Sequence, residues 1–97
     1  MNKQTVLHSI EQSMGDIRER FPVKKLAIFG SFARGQGAAQ SDLDVLVVFQ
    51  QKATFDLFMD LKFYLEELLG IKVDLVTDKA LRPQVRQAVE KELIDVA

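Results

Sequence analysis

The 97 residues, 47% of them hydrophobic and 28% charged, are enough for one compact domain and too few for two, and this composition excludes a disordered chain. The 13 basic and 14 acidic residues leave a formal net charge of −1, without the basic excess that general DNA or RNA binding needs. Since there is no cysteine, disulfides, thiolate metal sites and cysteine nucleophiles are excluded. We predict a single domain over residues 1–97 with no direct nucleic acid binding.

The first half of the chain predicts a helix, a strand and a short helical turn. Apolar residues recur at helical spacing along residues 3–20, where we predict a helix, and they are Leu7, Ile10, Met14 and Ile17. Pro22 ends this pattern. The run KKLAIFG is typical of a strand that stops at Gly30, the stretch SFARG of one helical turn, and QGAAQS (36–41) of a loop.

The second half predicts two strands, each followed by a helix. The run DLDVLVVF (42–49) is apolar on both faces, as in a covered central strand. The next helix ends at Gly70 in the C-cap position, and its apolar stripe consists of Leu57, Phe58, Leu61, Leu65 and Leu68. The run IKVDLV (71–76) predicts a third strand. Residues 83–96 predict a last helix that begins at Pro83, with one face formed by Val85, Val89 and Leu93.

The predicted order is therefore α, β, short α, β, α, β, α. Helices packed on a small mixed β-sheet, an α+β fold, are the natural architecture for this order, although the pattern does not give the strand order or direction. No segment approaches the roughly 20 apolar residues that span a bilayer, and the N-terminal residues lack the apolar run of a signal peptide. We expect a cytoplasmic protein that does not enter a membrane.

Acidic residues within two of the predicted strands are the main candidates for chemistry. Asp42 and Asp44 point to the same side because alternate strand residues share a face, and Asp74 lies inside the third strand. If these strands are neighbours, we expect three carboxylates to converge. Two carboxylates about 4 Å apart repel by roughly 4 kcal/mol at an effective dielectric constant near 20, so three of them need a proton or a cation. Oxygen-only ligands favour magnesium over zinc.

Simpler interpretations of these acidic residues remain open. Asp42 follows a glycine-rich loop and could be an ordinary turn residue. Asp44 and Asp74 could face water from an edge strand. Charged residues within apolar strands are, however, rarely buried unless they are paired or bind a metal.

A second candidate site begins where the first strand ends. Gly30 and Ser31 open a helical turn, whose backbone N–H groups and hydroxyl could bind phosphate, although the same residues could simply cap the helix. The loop is not a Walker A motif, because no Lys-Ser or Lys-Thr follows its glycines. Arg34 could contact a phosphate or form a surface ion pair. His8 is interpreted as a surface residue, and the run EKE (90–92) as a solvated helix face.

Together these features resemble a known family. The pair GS, ten further residues, the run DLD and a third aspartate on a later strand resemble the nucleotidyltransferase superfamily that includes DNA polymerase β. The short chain, with GSFARG and the terminal LRPQVRQAVEKEL, resembles the minimal nucleotidyltransferases, which are the antitoxin partners of HEPN-domain toxins. The resemblance covers nearly the whole chain.

The resemblance implies a polymerase β-like fold and a role for each motif residue. Asp42 and Asp44 would hold two magnesium ions, and Asp74 would bind the catalytic ion and help to deprotonate the attacking hydroxyl. Gly30 and Ser31 would bind the β- and γ-phosphates of a nucleoside triphosphate, usually ATP. Positioning and charge neutralisation supply most of the acceleration in such transfers, so a very small domain can catalyse them.

The resemblance also suggests the acceptor. AMP would be transferred to a tyrosine hydroxyl on a HEPN toxin. The chain could form a hetero-oligomer with this toxin. An alternative is an antitoxin without catalytic activity, which would neutralise a HEPN RNase by binding and masking it. A third hypothesis is an enzyme that acts on a small hydroxylated molecule.

Overall fold

A four-stranded mixed sheet with helices on both faces forms the fold in a computed structural model, which describes residues 2–36 and 42–96. The helices are α1 (Lys3–Arg20), α2 (Gly30–Ala33), α3 (Phe55–Leu69) and α4 (Pro83–Glu90). The strands are β1 (Val23–Phe29), β2 (Leu43–Phe49), β3 (Val73–Thr77) and β4 (Ile94–Asp95). The predicted α+β architecture is confirmed, while most of the predicted loop at 36–41 lies outside the described residues.

The strand order across the sheet is β3-β2-β1-β4. β2 is antiparallel to β1 and parallel to β3, and β4 is an edge strand antiparallel to β1. The prediction of one helix over 83–96 is wrong in its second half, because α4 ends at Glu90 and the chain then returns to the sheet. The Val96 N–H donates to the Leu26 carbonyl at 2.9 Å, a pairing with a distant segment that helical periodicity cannot reveal.

The ends of the helices follow from local sequence chemistry. The side chains of Asn2 and Thr54 accept hydrogen bonds from the first turns of α1 and α3. Gly70 ends α3 in the left-handed conformation at φ 69°, which a residue without Cβ adopts readily. Pro83 begins α4, where its missing N–H costs no helical hydrogen bond.

The main core lies between the sheet and the α1–α3 layer. Its fully buried members from β2 are the alternate residues Leu43, Val45 and Val47. In α1, Val6 is buried while the predicted Leu7 is only half-buried. In α3, Leu69 is buried where the stripe predicted Leu68, which is 37% exposed. Both shifts are one residue, and they leave the buried positions of each helix at the i, i+3 or i, i+4 spacing of a single helix face.

The other face of the sheet is covered only in part. Leu46 is buried on this face and lines a cavity together with Val89 of α4. Asp44 shares the face with Leu46, because it is two residues away on the same strand. Asp44 is half-buried, in contrast to the fully buried neighbours that point into the main core. Within residues 2–36 and 42–96, no helix is both long enough and apolar enough to cross a membrane.

Candidate active site

Asp44 and Asp74 lie side by side at the start of β2 and β3. The two strands are parallel, and these residues are direct Cα partners in the ladder. The expectation that the second and third predicted strands are neighbours is therefore met. Because partners on adjacent strands point to the same face, both carboxylates project from the face that α4 leaves partly open.

The electrostatics of Asp44 reflect this crowding. Burial raises the pKa of its carboxyl, the charge of Asp74 and a hydrogen bond with Asp74 raise it further, and the charge of Asp42 adds to this. Arg34 opposes the shift in pKa. Negative charge at Asp44 is therefore disfavoured in the fold, and a bound cation would favour it.

Asp42 stands at the margin of this pair. It precedes β2, lies outside the strand ladder and is exposed. Among the described residues, no three His, Cys, Asp or Glu side chains are arranged so that they could hold a metal ion as they stand. The expected convergence of three carboxylates is thus reduced to a close pair, Asp44 and Asp74, with Asp42 near enough to act through its charge.

Gly30 joins the end of β1 to α2 and lies against Asp44. Its φ of 74° is left-handed, and a Cβ at this position would overlap Oδ2 of Asp44 and lie 3.0 Å from its Cγ. Glycine is required here for both the backbone conformation and the close approach. The two halves of the motif, GS and DLD, therefore meet in space across the intervening loop.

Ser31 and Arg34 lie on the short turn that follows. Ser31 is half-buried in α2, and its carbonyl accepts a hydrogen bond from the Gln36 N–H at 2.8 Å. Arg34 caps the end of α2, and its guanidinium donates from Nη1 to Oε1 of Glu92 at 2.7 Å. Of the two interpretations of Arg34 from sequence, the ion pair is therefore present, and a role in phosphate binding stays a prediction.

Glu92 is the residue that the sequence did not reveal. The run EKE was interpreted as a solvated helix face, which is wrong for Glu92, since α4 ends at Glu90 and Glu92 turns towards α2. Its Oε2 accepts a hydrogen bond from the Gly30 N–H at 3.3 Å. Because 62 positions separate these residues along the chain, no local pattern could have indicated their contact.

The comparisons agree with the motif and the fold. A family model described as the nucleotidyltransferase domain matches residues 10–96. The chain belongs to this family. This chain is 40% identical over 81 residues to the protein adenylyltransferase MntA of Thermococcus cleftensis. The matched residues cover 84% of this chain and 82% of that protein.

Solved structures extend the likeness to the whole fold. One assigned as a minimal nucleotidyltransferase has a TM-score of 0.83 and 36% identity, covering 97% of this chain and 95% of that chain. A chain of the tri-AMPylated Shewanella oneidensis HEPN toxin in complex with MNT antitoxin has a TM-score of 0.71 and 20% identity, covering 98% of this chain and 71% of that chain. At this lower identity the likeness shows the fold alone. The nucleotidyltransferase therefore has the predicted fold of the minimal members.

Proposed function

We propose that this nucleotidyltransferase transfers AMP from ATP to a hydroxyl of a HEPN-domain toxin and acts as its antitoxin. The observation that carries the proposal is the meeting of Gly30, Asp44 and Asp74 at one point of the sheet. Two further features support it: the identity of 40% to a protein adenylyltransferase, and the fold shared with a chain from a tri-AMPylated HEPN toxin and MNT antitoxin complex.

The donor set fits a divalent cation. Asp44 and Asp74 offer only oxygen ligands, and burial together with neighbouring carboxylates raises the pKa of Asp44, as expected where negative charge lacks a full counter-charge. Asp42, exposed beside them, can turn towards the pair without disturbing the ladder. We assign these three residues to two magnesium ions, which when bound would neutralise charge on the phosphates and on the leaving pyrophosphate.

The remaining motif residues would place the triphosphate. Ser31 offers its hydroxyl and backbone N–H at the beginning of α2, beside the position where Gly30 allows the closest approach to Asp44. We assign Gly30 and Ser31 to the β- and γ-phosphates. This arrangement would direct the α-phosphorus towards Asp44 and Asp74.

The reaction balances without a further reactant. The acceptor oxygen forms a bond to the α-phosphorus of ATP, the bond from that phosphorus to the β-phosphate oxygen breaks, and pyrophosphate leaves. The hydroxyl proton passes to the Asp74 carboxylate, which is exposed and therefore within reach of an acceptor on another protein. We propose a tyrosine as the acceptor, since its hydroxyl extends far enough from a protein surface to enter an open site.

The test is AMP transfer between purified proteins. The nucleotidyltransferase is incubated with ATP labelled at the α-phosphorus, magnesium and a HEPN partner, and the intact mass of both proteins is measured. The wild type and Asp60→Asn, which removes an exposed carboxylate on α3 away from the site, should add AMP to the partner. Asp44→Asn should not.

Each result separates the hypotheses. AMP on the partner that disappears when its acceptor tyrosine is replaced by phenylalanine supports the proposal in full. Inhibition of the partner RNase by Asp44→Asn at equal concentration would instead favour the masking antitoxin. AMP transfer to small hydroxylated molecules without any partner would favour the third hypothesis.

A further inference from the structure

Glu92 contacts both ends of α2. Its Oε2 accepts a hydrogen bond from the Gly30 N–H at 3.3 Å, and its Oε1 accepts one from Nη1 of Arg34 at 2.7 Å. Gly30 is the first residue of α2 and Arg34 is its C-cap. A single carboxylate therefore bridges the beginning and the end of the turn that carries Ser31.

We propose that Glu92 is a positioning residue for nucleotidyl transfer. Together with Arg34 it forms what we term the Arg34–Glu92 clasp, which holds the Gly30–Ser31 turn against Asp44. The inference rests on the proposed function, because it concerns the binding of the nucleoside triphosphate at this turn. In this assignment Arg34 acts through Glu92 and the turn, and it is not itself a ligand of the phosphates.

The turn needs such a restraint because it is too short to hold itself. α2 has four residues, and a single helical turn is unfavourable on its own, since it fixes several backbone dihedrals for very few hydrogen bonds. Within it, the Arg34 N–H donates to the Gly30 carbonyl at 3.1 Å. Gly30 also has the widest conformational freedom of any residue type, so its φ of 74° must be selected by its surroundings.

The position of Glu92 is set by the edge strand β4. β4 pairs with β1 through Ile94 opposite Ile28, two residues before Gly30. Val96, buried in the core, continues this pairing. Because β4 is anchored beside the end of β1, the residue two positions before Ile94 is brought to the start of α2. The return of the chain after α4 thus delivers a carboxylate to the turn.

The charges of the clasp fit a supporting role. Arg34 neutralises Glu92 through the ion pair between Nη1 and Oε1 at 2.7 Å. A free carboxylate beside a triphosphate would repel it, whereas a paired one repels it far less. The opposite hypothesis is that Glu92 occupies the place of a phosphate and competes with ATP. The two hypotheses predict changes of opposite sign.

The test compares Glu92→Gln with the matched control Glu90→Gln, which removes an exposed carboxylate two residues away. With the full chain, ATP, magnesium and the HEPN partner, we expect Glu92→Gln to raise the KM for ATP and lower kcat/KM roughly ten- to a hundredfold, as for displaced binding groups. The KM for the partner should not change. The melting temperature should fall by roughly 4–8 °C relative to Glu90→Gln, as for the loss of a hydrogen-bonded ion pair. Both variants are assayed at a temperature where they are folded, so a general loss of folding would not explain the result.

A double-variant cycle tests the role of Arg34. If both residues act as one clasp, Arg34→Gln combined with Glu92→Gln should cost no more activity than either single change. Losses that multiply would mean that Arg34 binds the phosphates by itself, and this would overturn the clasp. An unchanged KM for ATP in Glu92→Gln would overturn it as well, and a lower KM would identify Glu92 as a competitor.

A measurement without ligand separates this inference from the proposed function. If the wild type transfers no AMP, the proposed function fails. The rate of amide hydrogen exchange at Gly30 still shows whether Glu92 restrains the turn. Exchange should be faster in Glu92→Gln than in Glu90→Gln because the Gly30 N–H loses its charged acceptor. Equal exchange in the two variants would refute the clasp whatever the activity.

Discussion

The Cα of Gly30 lies so close to the carboxylate of Asp44 that a Cβ atom at this position would overlap Oδ2. The contact joins the turn after β1 to the start of β2. The carboxylate of Asp44 and the proposed phosphate site at the turn are therefore in contact through Gly30, which has no side chain to separate them. The distance between them therefore depends on the absence of a side chain at this position.

Replacing Gly30 by alanine should damage both stability and activity. The new methyl group would force Asp44 or the turn to move, and the φ of 74° is strained for alanine. Together these effects should cost about 2 kcal/mol or more in the free energy of unfolding. Displacement of Asp44 should also lower AMP transfer roughly tenfold or more at temperatures where the variant is folded. Denaturant unfolding and the transfer assay measure the two effects.

Gly70→Ala is the matched control for backbone strain. Gly70, the C-cap of α3, has a similar φ of 69°. Within residues 2–36 and 42–96, its chain neighbours apart, no atom lies within 4 Å of the place that an alanine methyl group would take. We expect about 1 kcal/mol of destabilisation from strain alone, with AMP transfer retained. Equal losses of activity in the two variants would show that the contact with Asp44 does not matter.

Asp44→Asn should abolish transfer and yet make the protein more stable at pH 7. The pKa of Asp44 is raised in the fold, so its charged form is disfavoured, and this cost is present above the folded pKa and vanishes below the unfolded value of 3.8. The gain in stability should be about 1 kcal/mol, limited by the exposure of Asp74 to solvent. Urea unfolding at pH 7 and at pH 3 checks the sign, since the gain should disappear at the lower pH.

Asp60→Asn is the control for loss of one negative charge. This exposed residue on α3 should change the unfolding free energy by less than about 0.5 kcal/mol at either pH. A destabilised Asp44→Asn at pH 7, beside a neutral Asp60→Asn, would mean that the Asp44 carboxylate makes a favourable contact that outweighs its repulsion by Asp74.

Much of the fold was predictable because its signals are local. The helical spacing in α1, the cap at Gly70 and the proline at Pro83 each depend on neighbouring residues, and each is confirmed. The close pair in the site was also accessible in part. Asp44 and Asp74 each stood out as a charge in an apolar strand, and only the parallel pairing of β2 with β3 was missing.

The features that escaped prediction depend on distant pairing. β4 consists of two residues that pair with the edge of β1. The apolar spacing of the preceding helix runs on through these residues, so the sequence predicted a helix there. Glu92 lies in a charged run typical of a solvated helix, and its contact with Gly30 arises from the return of the chain to that edge. Such contacts are set by the sheet topology, which hydrophobic periodicity does not encode.

Tyr64→Phe tests how α3 is fixed to α1. The Tyr64 hydroxyl donates to Oδ2 of Asp16 at 2.8 Å, and the guanidinium of Arg20 lies 5.0 Å from the centre of the tyrosine ring. Phenylalanine keeps the ring and loses the hydrogen bond, so we expect the unfolding free energy to fall by about 1 kcal/mol. Asp16→Asn keeps an acceptor and should cost less. A loss in Asp16→Asn as large as that in Tyr64→Phe would indicate that charge, and not the hydrogen bond, fixes the two helices.

Glu66 should make stability depend on pH in the acid range. Its Oε2 accepts a hydrogen bond from the Val73 N–H at 2.9 Å and forms an ion pair with Lys62 at 3.1 Å. The hydrogen bond from Val73 is the main cause that lowers the pKa of this carboxyl. The charges of Lys62 and Lys72 lower this pKa as well, and burial opposes them. The ionised form is therefore the one that ties α3 to the beginning of β3.

The direction of the pH effect follows from that lowered pKa. The contribution of Glu66 to stability is complete above the unfolded value of 4.5 and is lost as the pH falls through the lower folded value. Wild type should exceed Glu66→Gln by about 1 kcal/mol in unfolding free energy at pH 7, and the gap should close in the acid range because protonated Glu66 resembles glutamine. Glu67→Gln, which removes the exposed carboxylate next to Glu66, is the control for the loss of one charge. A gap that stays constant down to pH 3 would mean that packing of Glu66, and not its charge, supports the start of β3.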